Sequence, residues 1–227
     1  MLLVAWPSPQ SFSRALRWAL QLETLGVAGF GWGVGWLEES GGVRVMKHTG
    51  RFNEDVMAQT DLAEVRSERF MVHLRRPSKL STISIEDTQP FLSDSGFAFC
   101  HNGGFERHPE LRPRYERVLQ GRADSEVGFR FFEETAAERS PGPALEATHR
   151  ELGGDANLAY LGPEGVLLAY QGHTHNDLWE FSLDEARVVS TALHSADDSL
   201  FDLIFRGATD RRRLWCEVVR VGGGRRN

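Results

Sequence analysis

The chain has 227 residues and a mass of 25.5 kDa, with 41% hydrophobic and 26% charged residues, proportions that exclude a disordered, collagen-like or coiled-coil protein. A net charge of −6 and a pI near 5.8 speak against a protein that works by neutralising many phosphates, so neither nucleic acid nor a membrane surface is an expected partner. Only two cysteines, Cys100 and Cys216, no C-x-x-C pair, no basic leader and no apolar run of membrane-spanning length exclude a disulfide framework and a structural zinc site and point to the cytoplasm.

In chain order, residues 2–6 read as a buried strand stopped by Pro7, and Ser11 as the cap of a helix reaching Leu25 and ended by Gly26. Gly29, Gly31, Gly33 and Gly35 then alternate with large side chains as far as Leu37. With 43–46 they predict a hairpin whose one face is nearly bare backbone, open to close approach by another layer or a ligand. A helix is expected over 53–67, strands over 70–74 and 96–100, and helices over 106–120, 124–139 and 144–152. Strands follow over 156–161, 165–171, 178–182, 187–192 and 214–221. Strands interrupted by a block of helices indicate an α+β layered fold rather than a parallel βαβ series. The length suits one domain over 1–221, with 222–227 as a flexible basic tail.

Three segments carry residue types that are costly in a strand-rich core. In His73-Leu74-Arg75-Arg76-Pro77-Ser78, period-two alternation puts Arg75 on the strand face of His73, at the exit of a buried strand where a guanidinium suits a carboxylate. In Cys100-His101-Asn102-Gly103-Gly104, the Asn102 amide and a glycine turn offer the two N–H donors of an oxyanion hole. In Gly121-Arg122-Ala123-Asp124-Ser125-Glu126, Asp124 either caps a helix or pairs with an ammonium group. Each alone has an ordinary structural reading, as a turn or a helix start. Together they describe a carboxylate clamp, an oxyanion hole and an ammonium clamp, which suits a free amino acid whose side-chain amide is attacked.

In order and spacing these segments resemble the class II glutamine amidotransferase domains of the N-terminal-nucleophile hydrolase superfamily. The glycine-rich strand over 29–36 is similar to that family's, His73-Leu74-Arg75 to its His-x-Arg strand, and Gln89-Pro90-Phe91 to its His-Pro-Phe element. His101-Asn102-Gly103 is similar to its His-Asn-Gly turn, and Asp124-Ser125-Glu126 to its Thr-Asp-Ser-Glu helix start. The stand-alone branch that includes the ergothioneine-pathway γ-glutamyl amidohydrolase looks nearest. The resemblance implies a four-layer αββα sandwich, Arg75 for the substrate carboxylate with Ser78 and His73 beside it, Asn102 and Gly103 for the oxyanion hole, and Asp124 for the ammonium. It implies no cofactor or metal, and any ammonia transfer would need a separate synthase or protein partner.

The family's nucleophile is a leading Cys whose own α-amino group is the base. Here Met1 or Leu2 falls at that position. Ala123 and Gln89 replace a Thr and a His of the family pattern. The resemblance therefore implies a glutamine or γ-glutamyl site that is catalytically impaired. A non-catalytic sensor or scaffold, and an amidohydrolase using another nucleophile, are the alternatives.

Other residues carry weaker signals. Cys100 beside His101 would be a thiolate pair only if both pointed the same way, which a strand forbids. Ser8 would be a nucleophile only after cleavage. His173 and His175, in the segment ending at Asp177, could ligate a metal with Asp197 or Asp198 but lack a third ligand at diagnostic spacing, so a polar loop is expected. Arg211 to Arg213 and Arg225-Arg226 read as solvated surface.

Overall fold

The computed structural model describes residues 1–26, 28–191 and 199–222. Strand β1 (Leu2–Ser11) leads into helix α1 (Ser13–Leu25), followed by the hairpin β2 (Trp32–Leu37) and β3 (Val43–His48). Two single-turn helices, α2 (Val56–Gln59) and α3 (Asp61–Glu64), precede β4 (Arg66–Leu74), β5 (Phe91–Leu92) and β6 (Ala98–Gly103). The helical block is α4 (His108–Tyr115), α5 (Asp124–Glu138) and α6 (Pro141–Leu152). The strands β7 (Ala156–Leu161), β8 (Leu167–Tyr170), β9 (Leu178–Leu183) and β10 (Ala186–Thr191) then precede α7 (Ser199–Ile204), β11 (Thr209–Arg213) and β12 (Val218–Arg220).

Two antiparallel sheets result, ordered β11-β9-β10-β1-β4-β2-β3 and β12-β8-β7-β6-β5. Alternation along β1 explains how they stack. Leu2, Val4 and Trp6 face a core shared with Ala15, Trp18, Ala19 and Leu22 of α1, whereas Met1, Leu3 and Ala5 face a second core shared with Ala98, Cys100 and Ala159 of the other sheet. A third core joins Phe99 and Leu158 to Phe129 and Phe132 of α5 and to Leu145 of α6. Three cores between four layers make the expected αββα sandwich. Each fully buried Leu or Phe in them contributes about 1.5–3 kcal/mol by area, so the apolar period of each element fixes its layer.

The glycine strand behaves as its pattern predicts. A Cβ at Gly33 would stand 2.1 Å from the Gln89 carbonyl oxygen, so only bare backbone lets the segment before β5 cross β2. Elsewhere tertiary contacts override local pattern. β1 runs on through Pro7 and Pro9 by slipping register between Ala5 and Gln10 on β4, so Pro7 does not end it. Phe12, not Ser11, takes the cap position of α1. The expected 53–67 helix breaks at Thr60 (φ −112°, ψ −82°), and β4 begins at Arg66 because Arg66 and Ser67 pair with the far end of β1. The 106–120 helix is only α4. The expected 214–221 strand shortens to β12 (Val218–Arg220), because Cys216 takes a positive φ of 45° between it and β11, which pairs in the other sheet. No helix among the described residues is long and apolar enough to cross a membrane.

Candidate functional site

Strand periodicity carries the site residues to one end of the inter-sheet layer. Phe70 and Val72 face the α1 side and Met71 the inter-sheet side, so His73 and Arg75 continue towards the second sheet. On β6, Ala98 and Cys100 face the same layer, and Asn102 follows them. One step before the Leu2–Val72 pair, Met1 stands opposite His73. A cavity of about 280 Å³ opens there, lined by His73, Arg75, Ser78, Asn102, Gly103 and Asp124 among others. The structure thus gathers every site residue expected from the sequence except the position-1 group, which is 6% exposed behind the cavity wall.

Arg75 is buried, and its guanidinium donates to the carbonyls of Thr82 and Ser84 and to Thr88 Oγ1. No carboxylate lies within ion-pair distance of it among the described residues. Burial lowers its pKa, with Asp87 and Asp124 opposing that shift. Asp124 opens α5 without capping it: the cap residue is Ala123, and Asp124 Oδ2 instead accepts from the Phe105 backbone N–H at 2.8 Å. Asn102 is held from behind, its Oδ1 accepting from Asn176 Nδ2 at 2.8 Å, which turns the amide's N–H end away from Asn176. Gly103 (φ 128°) occupies a conformation and a space closed to other residues, since a Cβ would lie 2.0 Å from the Asp155 carbonyl oxygen.

Of the supporting residues, only Glu126 belongs to a sequence motif; Asn157, Asn176 and Asp87 carried none. Asn157, paired with Asn102 across β6 and β7, donates to the Asn176 carbonyl and accepts from the N–H groups of Gly172 and His173. Asp87 Oδ1 accepts from the N–H groups of Arg122 and Ala123, both at 2.7 Å, and Glu126 accepts from those of Gln120 and Gly121. These two carboxylates satisfy the turn ahead of α5 and so place Asp124. Only cross-strand register and the helix-start acids hint at them.

At the inner end, Met1 Sδ packs 3.3 Å from Cys100 Sγ, and the Met1 amine donates to Thr191 Oγ1 at 3.1 Å. Burial lowers that amine's pKa from 8.0 to about 6 and pushes the Cys100 thiol up to about 12. Burial also holds His73 well below 6.5, helped by the neighbouring amine, His101 and Arg75. The His101 ring lies on the other face of β6, stacked on Phe105 at 4.2 Å with Nδ1 3.0 Å from Ser125 Oγ. Cys100 and His101 therefore form no pair.

The weaker candidates stand elsewhere. Ser8 accepts from Gln10 within β1. The 173–175 segment folds on Asp155, which accepts from the N–H and hydroxyl of Thr174. No metal-holding cluster occurs among the described residues, and Asp197 and Asp198 lie outside them. Arg211 stacks over Trp179 and Phe201, Arg212 pairs with Glu180 and Glu217, and Arg213 pairs with Asp177. This arginine run therefore ties β11 to its surroundings. Arg225 and Arg226 lie outside the described residues.

The sequence profile of the Glutamine amidotransferases class-II family matches residues 13–182. The chain belongs to the class-II glutamine amidotransferases. Its fold is similar to that of the glutamine phosphoribosylpyrophosphate amidotransferase from B. subtilis complexed with ADP and GMP, with a TM-score of 0.68 and 18% identity over 92% of this chain and 44% of that one. An allosteric regulatory enzyme of purine biosynthesis gives a TM-score of 0.68 and 17% identity over 97% of this chain and 44% of that one. A glutamine aminotransferase class-II domain protein from Silicibacter pomeroyi gives 0.57 and 16% identity over 83% of this chain and 86% of that one. The chain thus spans less than half the length of the first two. No curated protein sequence matches. Within this class-II frame Gln89 stands where the family pattern has His: its Nε2 donates to Ser125 Oγ and its Oε1 accepts from the His101 N–H at 2.6 Å. The amide thereby bridges β6 and α5.

Proposed function

We propose that this class-II glutamine amidotransferase domain binds the amino-acid end of glutamine or of a γ-glutamyl compound and is impaired in hydrolysing it. The observation that carries the reading is the meeting of Arg75, Asn102, Gly103 and Asp124 in one cavity, with Met1 opposite His73. The Arg75 guanidinium takes the α-carboxylate in bidentate fashion, exchanging neutral carbonyl partners for a charged one. The free oxygen of Asp124 takes the α-ammonium, and the side-chain carbonyl lies towards Asn102 Nδ2 and the Gly103 N–H. The Met1 thioether has no proton to lose and cannot supply a sulfur nucleophile. Cys100 is no substitute, because its thiol is buried and pushed up to about 12. Both cysteines are free, which supports a cytoplasmic protein, and an ammonia acceptor, if one exists, belongs to a separate synthase.

Calorimetry with glutamine, paired with a glutaminase and γ-glutamyl amide hydrolysis assay, tests this directly. Binding without turnover is expected. Turnover abolished by Asn102→Ala would overturn the impairment, and no binding at all would overturn the site.

A further inference from the structure

The geometry points to a site for a soft monovalent cation, copper(I), at the inner end of the inter-sheet layer, made by the Cys100 thiolate, the Met1 thioether and His73 Nδ1. It stands apart from the amino-acid reading of the cavity and does not depend on it.

Strand alternation brings the three donors together. Met1 and His73 stand opposite each other on β1 and β4 with the inter-sheet layer on their side, and Cys100 enters the same layer from β6. There the Cys100 thiol donates to Met1 Sδ at 3.3 Å, a spacing that one small ion bonded at about 2.3 Å to each sulfur can span. The third donor is the one that asks for a ligand. His73 is only 5% exposed, and its buried Nδ1 has no hydrogen-bond partner. The ring also hydrogen-bonds to the His101 backbone in the sense that favours a proton on it, so the proton sits on the other nitrogen and Nδ1 keeps a buried lone pair. An imidazole held by a backbone group at one nitrogen and free at the other is in the form that ligates metals.

The donor set selects the ion. A thiolate and a thioether are soft ligands that suit copper(I) and match magnesium, calcium or manganese poorly. Charge then separates copper(I) from zinc(II): one thiolate neutralises the first, whereas the second would bury an uncompensated positive charge. No three of His, Cys, Asp and Glu cluster among the described residues; here it is the methionine sulfur that completes the set. On binding, the Cys100 S–H bond breaks, an Sγ–copper bond forms in its place, and the proton leaves to the buffer. The Met1 amine stays on Thr191. His73 also lines the cavity of about 280 Å³, which gives the ion its way in.

The test titrates the purified, reduced, metal-free chain anaerobically with copper(I) in competition with bicinchoninate. Cys216→Ser, which removes the exposed thiol, Cys100→Ala and His73→Gln are titrated beside it. One copper per chain should bind in the parent and in Cys216→Ser. Affinity should fall about a hundredfold in Cys100→Ala and at least about tenfold in His73→Gln, and zinc(II) should not displace the copper. X-ray absorption of the selenomethionine-labelled Cys216→Ser chain should show copper–sulfur, copper–selenium and copper–nitrogen scattering, which decides the matter even where Cys100→Ala fails to fold. Loss of copper in Cys216→Ser, equal affinity in Cys100→Ala, displacement by zinc(II), or a shell without selenium would each overturn the inference.

Discussion

The two ends of the inter-sheet layer are built on opposite principles. Around Met1 the layer is closed: sulfur lies against sulfur at 3.3 Å, the amine is spent on Thr191, and His73 keeps a buried ring nitrogen, Nδ1, without a partner. A few residues outward, Arg75, Asn102 and Asp124 hold polar atoms towards a cavity. Their own geometry is fixed from behind by Thr82, Asn176 and the Phe105 N–H. The proposed recognition end is anchored by loops and by the second sheet. Its arrangement therefore does not depend on which side chain fills position 1, and under the proposed function recognition and reaction should be separable by substitution.

The largest effect should come from reopening the closed end. Met1→Cys, produced so that this Cys leads the chain, replaces a thioether with a thiol beside an amine whose pKa of about 6 leaves it unprotonated, and able to act as base, at pH 7. Glutamine hydrolysis should rise from background to a measurable rate, with a covalent adduct detected by intact mass after a glutamine-analogue electrophile. A variant without turnover would show that a thiol at position 1 does not by itself make the inner end a hydrolytic site. Arg75→Ala attacks the other end. Removing a buried cation that meets a carboxylate costs about 2–5 kcal/mol, so glutamine affinity measured by calorimetry should fall at least thirtyfold while the melting transition persists. An unchanged affinity would move the carboxylate clamp elsewhere.

Acid should loosen the closed end selectively. Between pH 8 and about 6 the unfolded chain carries a proton on the Met1 amine that the folded chain does not, so stability rises with pH across that window and is lost on acidification. The depression corresponds to about 3 kcal/mol. His73 and His101, held neutral by burial, extend the loss below pH 6.5. Urea midpoints should decline across both windows. His73→Gln should make only the lower one shallower, with His101 left to act there, and a flat profile from pH 8 to 6 would contradict the buried amine.

Much of this contrast was legible in the sequence because it depends on period-two alternation, which needs no tertiary knowledge. The alternation put His73 with Arg75 and parted Cys100 from His101, and the glycine run foretold the close crossing by Gln89. What the sequence hid are contacts made across sheets or through backbone. Asn157 and Asn176 look like ordinary polar residues until register sets Asn157 beside Asn102. Asp87 sits in a loop with no pattern, and the slip that carries β1 through two prolines is decided by β4. The arginine run at 211–213, which reads as solvent-facing, is taken up by Trp179, Glu180 and Asp177, partners set by the pairing of β11 with β9.

The smallest expected effect is the most diagnostic of how the recognition end is held. Asn176 Nδ2 donates to Asn102 Oδ1, and that single bond decides which end of the Asn102 amide meets the cavity. Asn176→Ala removes the donor and should weaken glutamine binding by about 1 kcal/mol, the net worth of one hydrogen bond. Asn176→Asp is nearly isosteric but can only accept, so Asn102 must turn its Nδ2 inward and present an oxygen to the ligand carbonyl. The isosteric change should therefore cost more than the truncation, an order that loss of packing alone would reverse. Calorimetric affinities for the two variants settle it, and equal or inverted losses would mean that Asn102 is not a donor to the ligand.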